Sequence, residues 1–181
     1  MAINKGYLTC GRSAESDECM TPFYAVEPLL EFLPKNKTIW CPFDEEWSAF
    51  VQTFRKNGNK VICSHIFDNK DFFEYEPKEY DLIISNPPFS KKDKIIKRLY
   101  ELNKPFAILL PIQSLQSNSR YEYWKQGVEL LCFNDRIGYH TNGNFEHTAE
   151  GNHFASAYFC RNFLPEKLMF RKLNKKQRKL K

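Results

Sequence analysis

The segment Ser85-Asn86-Pro87-Pro88-Phe89 follows the apolar run Leu82-Ile83-Ile84. It sets one amide side chain, able to donate and accept hydrogen bonds, beside two prolines and an aromatic ring. Proline cannot donate to a sheet ladder, so Pro87 and Pro88 end a strand and stiffen what comes next. Either the amide is held for chemistry, or the segment is a rigid loop with no catalytic role. Three other stretches carry polar groups after strand-like runs: Cys41-Pro42-Phe43-Asp44 with Glu45 and Glu46, His65, and the segment past Pro111. In open α/β sheets, ligands sit beyond the carboxyl ends of the strands. His140, His147 and His153 are too scattered to name as a base. The six cysteines, at 10, 19, 41, 63, 132 and 160, form no CxxC pair. A zinc site needs a tighter cluster, so no metal is expected.

The elements that position these residues can be read from periodicity. Residues 21–33 suit a helix with Thr21 as N-cap and Pro22 at the first helical position. Residues 37–41 form a short strand. A helix over 48–58 places Phe50, Val51 and Phe54 on one face, with Gly58 closing it. Strands follow at 60–66 and 81–85, with a connector between them. An amphipathic helix covers 91–102, a buried strand 106–111, and a helix forms around 119–126. "VELLCF", "DRIGYHT" and "HFASAYFC" are strand-like, with a turn signal at Asn142-Gly143. Strand–helix alternation followed by strands predicts an α/β sheet, mainly parallel, with an antiparallel C-terminal hairpin.

The bulk composition sets bounds. The chain has 181 residues, 42% of them hydrophobic and 27% charged, as expected of one globular domain. It has no apolar run of about 18 residues and no signal-peptide core, so we expect no membrane partner and a cytoplasmic location with reduced cysteines. Cys63, Cys132 and Cys160 lie in or beside strand-like runs and suit the core. The net charge of +5 is uneven. Residues 165–181 hold eight Lys or Arg and one acid, Glu166, a surplus of seven that leaves −2 elsewhere. Residues 1–164 are therefore expected to form a single domain and 165–181 a basic tail. Such a tail can hold phosphates; it can equally be a solvated end.

Taken together, Ser85-Asn86-Pro87-Pro88-Phe89 after a buried strand resembles the catalytic motif of S-adenosylmethionine-dependent amino methyltransferases. In that family [D/N/S]-P-P-[Y/F] marks enzymes acting on planar-conjugated nitrogens, chiefly adenine N6 and cytosine N4. Placement after the fourth strand of an α/β run strengthens the match. Thr21-Pro22 before a helix looks like the family's N-terminal cofactor segment. Asp71-Phe72-Phe73 looks like the segment whose acid reads the cofactor's adenine, and "FAILLPIQSL" looks like the strand and loop after the catalytic motif. The resemblance spans roughly residues 17 to 163 and implies a Rossmann-like class I methyltransferase sheet.

The resemblance also implies roles. The catalytic segment is Asn86, Pro87, Pro88 and Phe89. The exocyclic amine of a base is a poor nucleophile, because its lone pair is delocalised into the ring. The Asn86 amide oxygen and the Pro87 carbonyl can each accept one amine proton and localise that lone pair. Phe89 is expected to stack on the target ring. A duplex base must leave its stack to reach such a pocket. The cofactor carries its own leaving group, so no metal is required. The cofactor contacts are expected at Thr21, Pro42, Asp44, His65, Asp71 and Ser85.

Two departures from the family pattern stand out. Its first motif has a Gly-rich turn, whereas "CPFDEEWSAFV" keeps Pro42 but has no glycine and carries three acids. Its second strand ends on an acid that binds the ribose; here His65 stands at that place, with Asp68 nearby. Asp44 and its neighbours then hold the methionine amine directly, or affinity is weak, or activity is lost. Simpler roles exist for each residue. Residues 44–46 could cap the helix after them, His65 and Asp71 could shape turns, and Phe43 and Trp47 could be core. The leading expectation is adenine-N6 transfer on DNA. The alternatives are RNA, cytosine N4, or a silent binding module that keeps the fold.

Overall fold

In the computed structural model, which describes residues 20–140 and 154–175, the apolar runs assemble into one seven-stranded sheet. The strands are β1 (Thr38–Cys41), β2 (Lys60–Cys63), β3 (Leu82–Ser85), β4 (Phe106–Pro111), β5 (Glu129–Phe133), β6 (Ser156–Arg161) and β7 (Leu168–Arg171). Their spatial order is β2-β1-β3-β4-β6-β5-β7. The first four strands run parallel. β6 is antiparallel to both β4 and β5, and β7 is parallel to β5. This mixed, mostly parallel α/β sheet is compatible with a Rossmann-like methyltransferase fold. Every residue of β3 and β4 is buried, as expected where both faces of a parallel sheet are covered.

The helices form where capping and periodicity agree. In α2 (Ala49–Lys56), Ser48 Oγ accepts the Val51 N–H at 3.2 Å, and Phe50, Val51 and Phe54 turn inward. Gly58 ends it at φ +91°, a backbone region that favours glycine. In α3 (Lys92–Leu102), Ile95, Ile96, Leu99 and Tyr100 are buried, and Asn103 closes it in the left-handed region at φ 51°. α4 spans Asn118–Trp124.

Several expectations change in the structure. The first helix is α1 (Phe23–Val26), continued as a tighter 3-10 turn over Glu27–Glu31, where Pro28 lacks an N–H for a regular helical bond. Its N-cap is Pro22, not Thr21, and no side chain caps it. The Asn-Pro-Pro segment follows the third strand in the chain rather than the fourth; residues 69–80, read as a connector, hold turns and add no strand. "DRIGYHT" forms no strand over its described residues; only His140 pairs, in a single bridge with Met20. β5 and β6 pair antiparallel, yet not as a tight C-terminal hairpin: β6 inserts between β4 and β5, and the last strand, β7, pairs parallel with β5. Asn142-Gly143 lies outside the described residues.

β7 begins inside the basic stretch. Its Arg171 forms a two-point ion pair with Glu31 at 2.6 and 2.5 Å, and Leu173 beyond it is buried. Glu129 on β5 holds the turn before β7: its carboxylate accepts the backbone N–H groups of Asn162, Phe163 and Leu164 at 3.0, 3.0 and 2.8 Å. Cys41 and Cys160 are buried, Cys63 and Cys132 are half-buried, and all four are free thiols.

Candidate active site

A cavity of about 350 Å³ opens at the carboxyl ends of β1, β2 and β3. That is within the range of small-molecule sites. Three strand-end turns form it: Pro42 to Glu45 after β1, His65 and Ile66 after β2, and Asn86 with Pro88 after β3. The start of α2, the loop Asp71 to Phe73, and the bridged pair Met20 and His140 complete the wall.

Of the residues named from sequence, Thr21, Pro42, Asp44, His65, Asp71, Asn86 and Pro88 line this one cavity, though the first six come from five separate chain segments. Ser85, Pro87 and Phe89 do not line it. Phe89, expected to stack on a target ring, is 2% exposed and packs edge-to-face against Tyr139 and Phe154, with centroids 6.4 and 5.6 Å away. Its ring anchors the Asn-Pro-Pro turn to the core. Ser85 is fully buried and donates from Oγ to the Asp44 carboxylate, so it ties β3 to the turn after β1. Pro87 is buried between its two cavity-lining neighbours.

The three acids after β1 have three different settings. Asp44 is buried, and desolvation pushes its carboxyl up to about 6, although hydrogen bonds from the Ser85 and Ser48 hydroxyls work against that rise. Glu45 lines the cavity. Glu46 points outward to Arg55, accepts the Cys63 thiol at 3.0 Å, and is held down to about 2, chiefly by the Arg55 hydrogen bonds. The cap of α2 itself is Ser48.

His65 and Asp71 shape turns and face the cavity at once. His65 Nδ1 accepts the Phe67 N–H at 3.4 Å, capping a 3-10 turn over Ile66–Asp68. Asp71 Oδ1 accepts the Phe73 N–H at 3.0 Å. Thr21 Oγ1 is a buried cavity-side oxygen with no hydrogen-bond partner among the described residues. Apolar walls come from Phe43, Phe72, Trp47 and Ile66, the last two about half exposed. Phe43 stacks on Phe72 at 4.9 Å and joins a cluster with Trp40, whose indole N–H donates to Ser64 Oγ at 2.9 Å.

Sequence reasoning passed over His140, Ser90 and Lys91 as cavity residues. Ser90 and Lys91 directly follow the Asn-Pro-Pro-Phe segment, so their position was a usable signal. His140 carried none, because it reaches the site through the bridge to Met20. Among the described residues no group of three or more His, Cys, Asp or Glu could hold a metal ion, and no helix is long and apolar enough to cross a membrane.

No family model matches the chain. Among curated proteins it resembles "Type II methyltransferase M.MgeORF184P" of Mycoplasma genitalium (strain ATCC 33530 / DSM 19775 / NCTC 10195 / G37), at 29% identity over 121 residues. The match takes in 50% of this chain and 38% of that protein's length.

Proposed function

We propose that this chain is an S-adenosylmethionine-dependent methyltransferase that acts on the exocyclic N6 amine of adenine in DNA. The observation that carries the reading is the meeting of Asn86 and Pro88 with Asp44, His65 and Asp71 around one cavity at the carboxyl ends of parallel strands. The relative's name supports the same reaction class.

The cavity suits the cofactor chemically. Phe43, Phe72 and Trp47 offer apolar faces to a planar ring, and Asp44, Glu45 and Asp71 offer carboxylates to the cationic α-ammonium and sulfonium groups. When bound, S-adenosylmethionine supplies an electrophilic methyl group. The chain's own part is to hold the target amine: Asn86 Oδ1 accepts a hydrogen bond from it and draws the nitrogen toward tetrahedral geometry, while the second acceptor that the resemblance implies, the Pro87 carbonyl, belongs to a residue just behind the cavity lining. Pro87 and Pro88 fix those acceptors in place, and the buried Phe89 ring holds the turn against the core.

A nucleic-acid substrate draws further support from the tail. β7 runs parallel to β5 and therefore to β4, so Arg171 and Lys172 stand at the cavity end of the sheet. Four strand spacings separate β3 from β7, roughly 19 Å. Calorimetric titration with S-adenosylmethionine, followed by tritiated methyl transfer to matched DNA and RNA oligonucleotides, tests the proposal. Saturable binding and label on DNA adenine N6 are the expected results. Binding without transfer to any nucleic acid would favour a silent module that has kept the fold.

A further inference from the structure

The cavity lining carries charge of both signs. Asp44, Glu45 and Asp71 face it from the β1 turn and the loop after β2. Directly after the Asn-Pro-Pro-Phe segment stands Lys91, the one lysine or arginine among the described cavity residues. Lys91 is exposed, and no ion pair among the described residues holds its ammonium. Its neighbour Lys92 is already committed, donating from Nζ to the Phe89 carbonyl at 3.2 Å. The neighbouring Ser90 also lines the cavity.

A wall of carboxylates and a lone cation suit two ligands of opposite charge. The amino group and sulfonium of the cofactor match the acids. Lys91, in the turn that follows Asn86, is then available to an anion that arrives with the target. A base that enters a pocket from a nucleic acid strand brings its own backbone phosphate to the pocket mouth. An exposed lysine on a flexible stem is suited to that contact.

We propose that Lys91 binds the backbone phosphate of the nucleotide whose base enters this cavity. The inference rests on the methyltransferase reading above and names the residue that anchors its strand. Lys91 anchors the substrate without touching the reacting atoms. Its removal therefore raises KM for an oligonucleotide and leaves kcat nearly unchanged.

The test compares wild type with Lys91→Ala, Lys91→Arg and a control, Lys97→Ala, whose lysine pairs with Glu101 further along α3. Four quantities are read: KM and kcat for an adenine-containing oligonucleotide, the slope of log affinity against log salt by fluorescence anisotropy, and S-adenosylmethionine affinity by calorimetry. For Lys91→Ala we expect KM to rise about three- to tenfold, and the salt slope to shrink by about 0.9 on duplex or 0.7 on single strands. Cofactor affinity should hold, and Lys91→Arg should restore the slope. An unaltered slope and KM would overturn the inference. So would a fall in cofactor affinity with an unaltered slope, which would instead assign Lys91 to the methionine carboxylate. If wild type binds the oligonucleotide but methylates nothing, the reaction reading fails, and the slope comparison still decides the role of Lys91. If wild type binds no oligonucleotide, the inference falls.

Discussion

The turns after β1 and β3 line the same cavity by opposite means. The turn after β3 is stiffened covalently: Pro87 and Pro88 limit its backbone, and a fully packed Phe89 pins it. The turn after β1 has no glycine and no comparable stiffening beyond Pro42. It is held by polar interactions instead, with a buried Asp44 carboxylate clasped by the Ser85 and Ser48 hydroxyls. The proline turn is indifferent to pH. The acidic turn depends on a group that titrates near neutrality. The comparison shows that a strand-end turn can be fixed by chain stiffness or by buried charge, and only the latter exposes the site to its medium.

The sharpest way to break the contrast is Asn86→Ala. It leaves the stiff turn standing but removes one acceptor for the target amine. Methyl transfer should fall on the order of 100- to 1,000-fold, by analogy with losing one partner in a preorganised site. Cofactor affinity, read by calorimetry, should stay close to wild type. An unchanged rate would remove the amino-methyltransferase reading.

Next in size is Asp71→Ala, which tests whether a turn acid also serves the cofactor. Losing a charge-assisted hydrogen bond to S-adenosylmethionine should weaken binding by about 1.5–3 kcal/mol. Part of any effect will come from the freed Phe73 N–H, so Asp71→Asn, which keeps an acceptor oxygen, is the paired measurement. Equal affinity in both variants would place the adenine elsewhere.

Asp44→Asn addresses the polar turn itself. The folded carboxyl titrates at about 6 against an ordinary 3.8, so the fold favours its protonated form. That favour is complete below pH 3.8 and is lost as pH rises through 6, a swing of about 3 kcal/mol at most. An amide mimics the protonated acid and still accepts hydrogen bonds from both serines. Denaturant unfolding should therefore show the variant about 1–3 kcal/mol more stable than wild type at pH 8, and no more stable at pH 4. The same change should weaken cofactor binding at pH 8 if the carboxylate faces the methionine amine.

The smallest effect on stability is expected from truncation after Leu173. It keeps β7 and the Arg171–Glu31 pair and, among the described residues, removes one exposed pair, Lys175 with Asp135. Stability should move by less than about 1 kcal/mol. The salt slope for duplex DNA should fall by up to about 0.9 for each phosphate the shortened chain no longer neutralises. An unaltered slope would show the tail to be a solvated end.

Much of this was legible in the chain itself. Apolar runs flanked by turn residues marked six of the seven strands, and strand ends marked where Pro42, Asp44, His65 and Asn86 would gather. Strand order was not legible. That β6 lies between β4 and β5 depends on packing across more than forty residues, which no local pattern encodes. β7 was hidden because Lys167, Arg171 and Lys172 read as tail, while its apolar residues Leu168 and Phe170 remain exposed. Side-chain direction was also invisible. Nothing in "SNPPF" says that Phe89 turns to the core, or that Ser85 spends its hydroxyl on Asp44.

The place of β6 has a consequence for how the chain is made. β4 is buried along its whole length, yet one of its edges is completed only by β6, in a register that pairs Phe106 with Arg161. During synthesis that edge, Phe-Ala-Ile-Leu-Leu-Pro, must wait some fifty residues for its partner. At about 5–20 residues per second, the wait is roughly 3–10 s. β5 emerges first and is tempted to pair with β4 in its stead. For those seconds the nascent chain carries an uncapped apolar edge, the kind of surface that recruits other chains or a chaperone. Yield of native protein should therefore be governed by events near residue 161, far along the chain from the cavity.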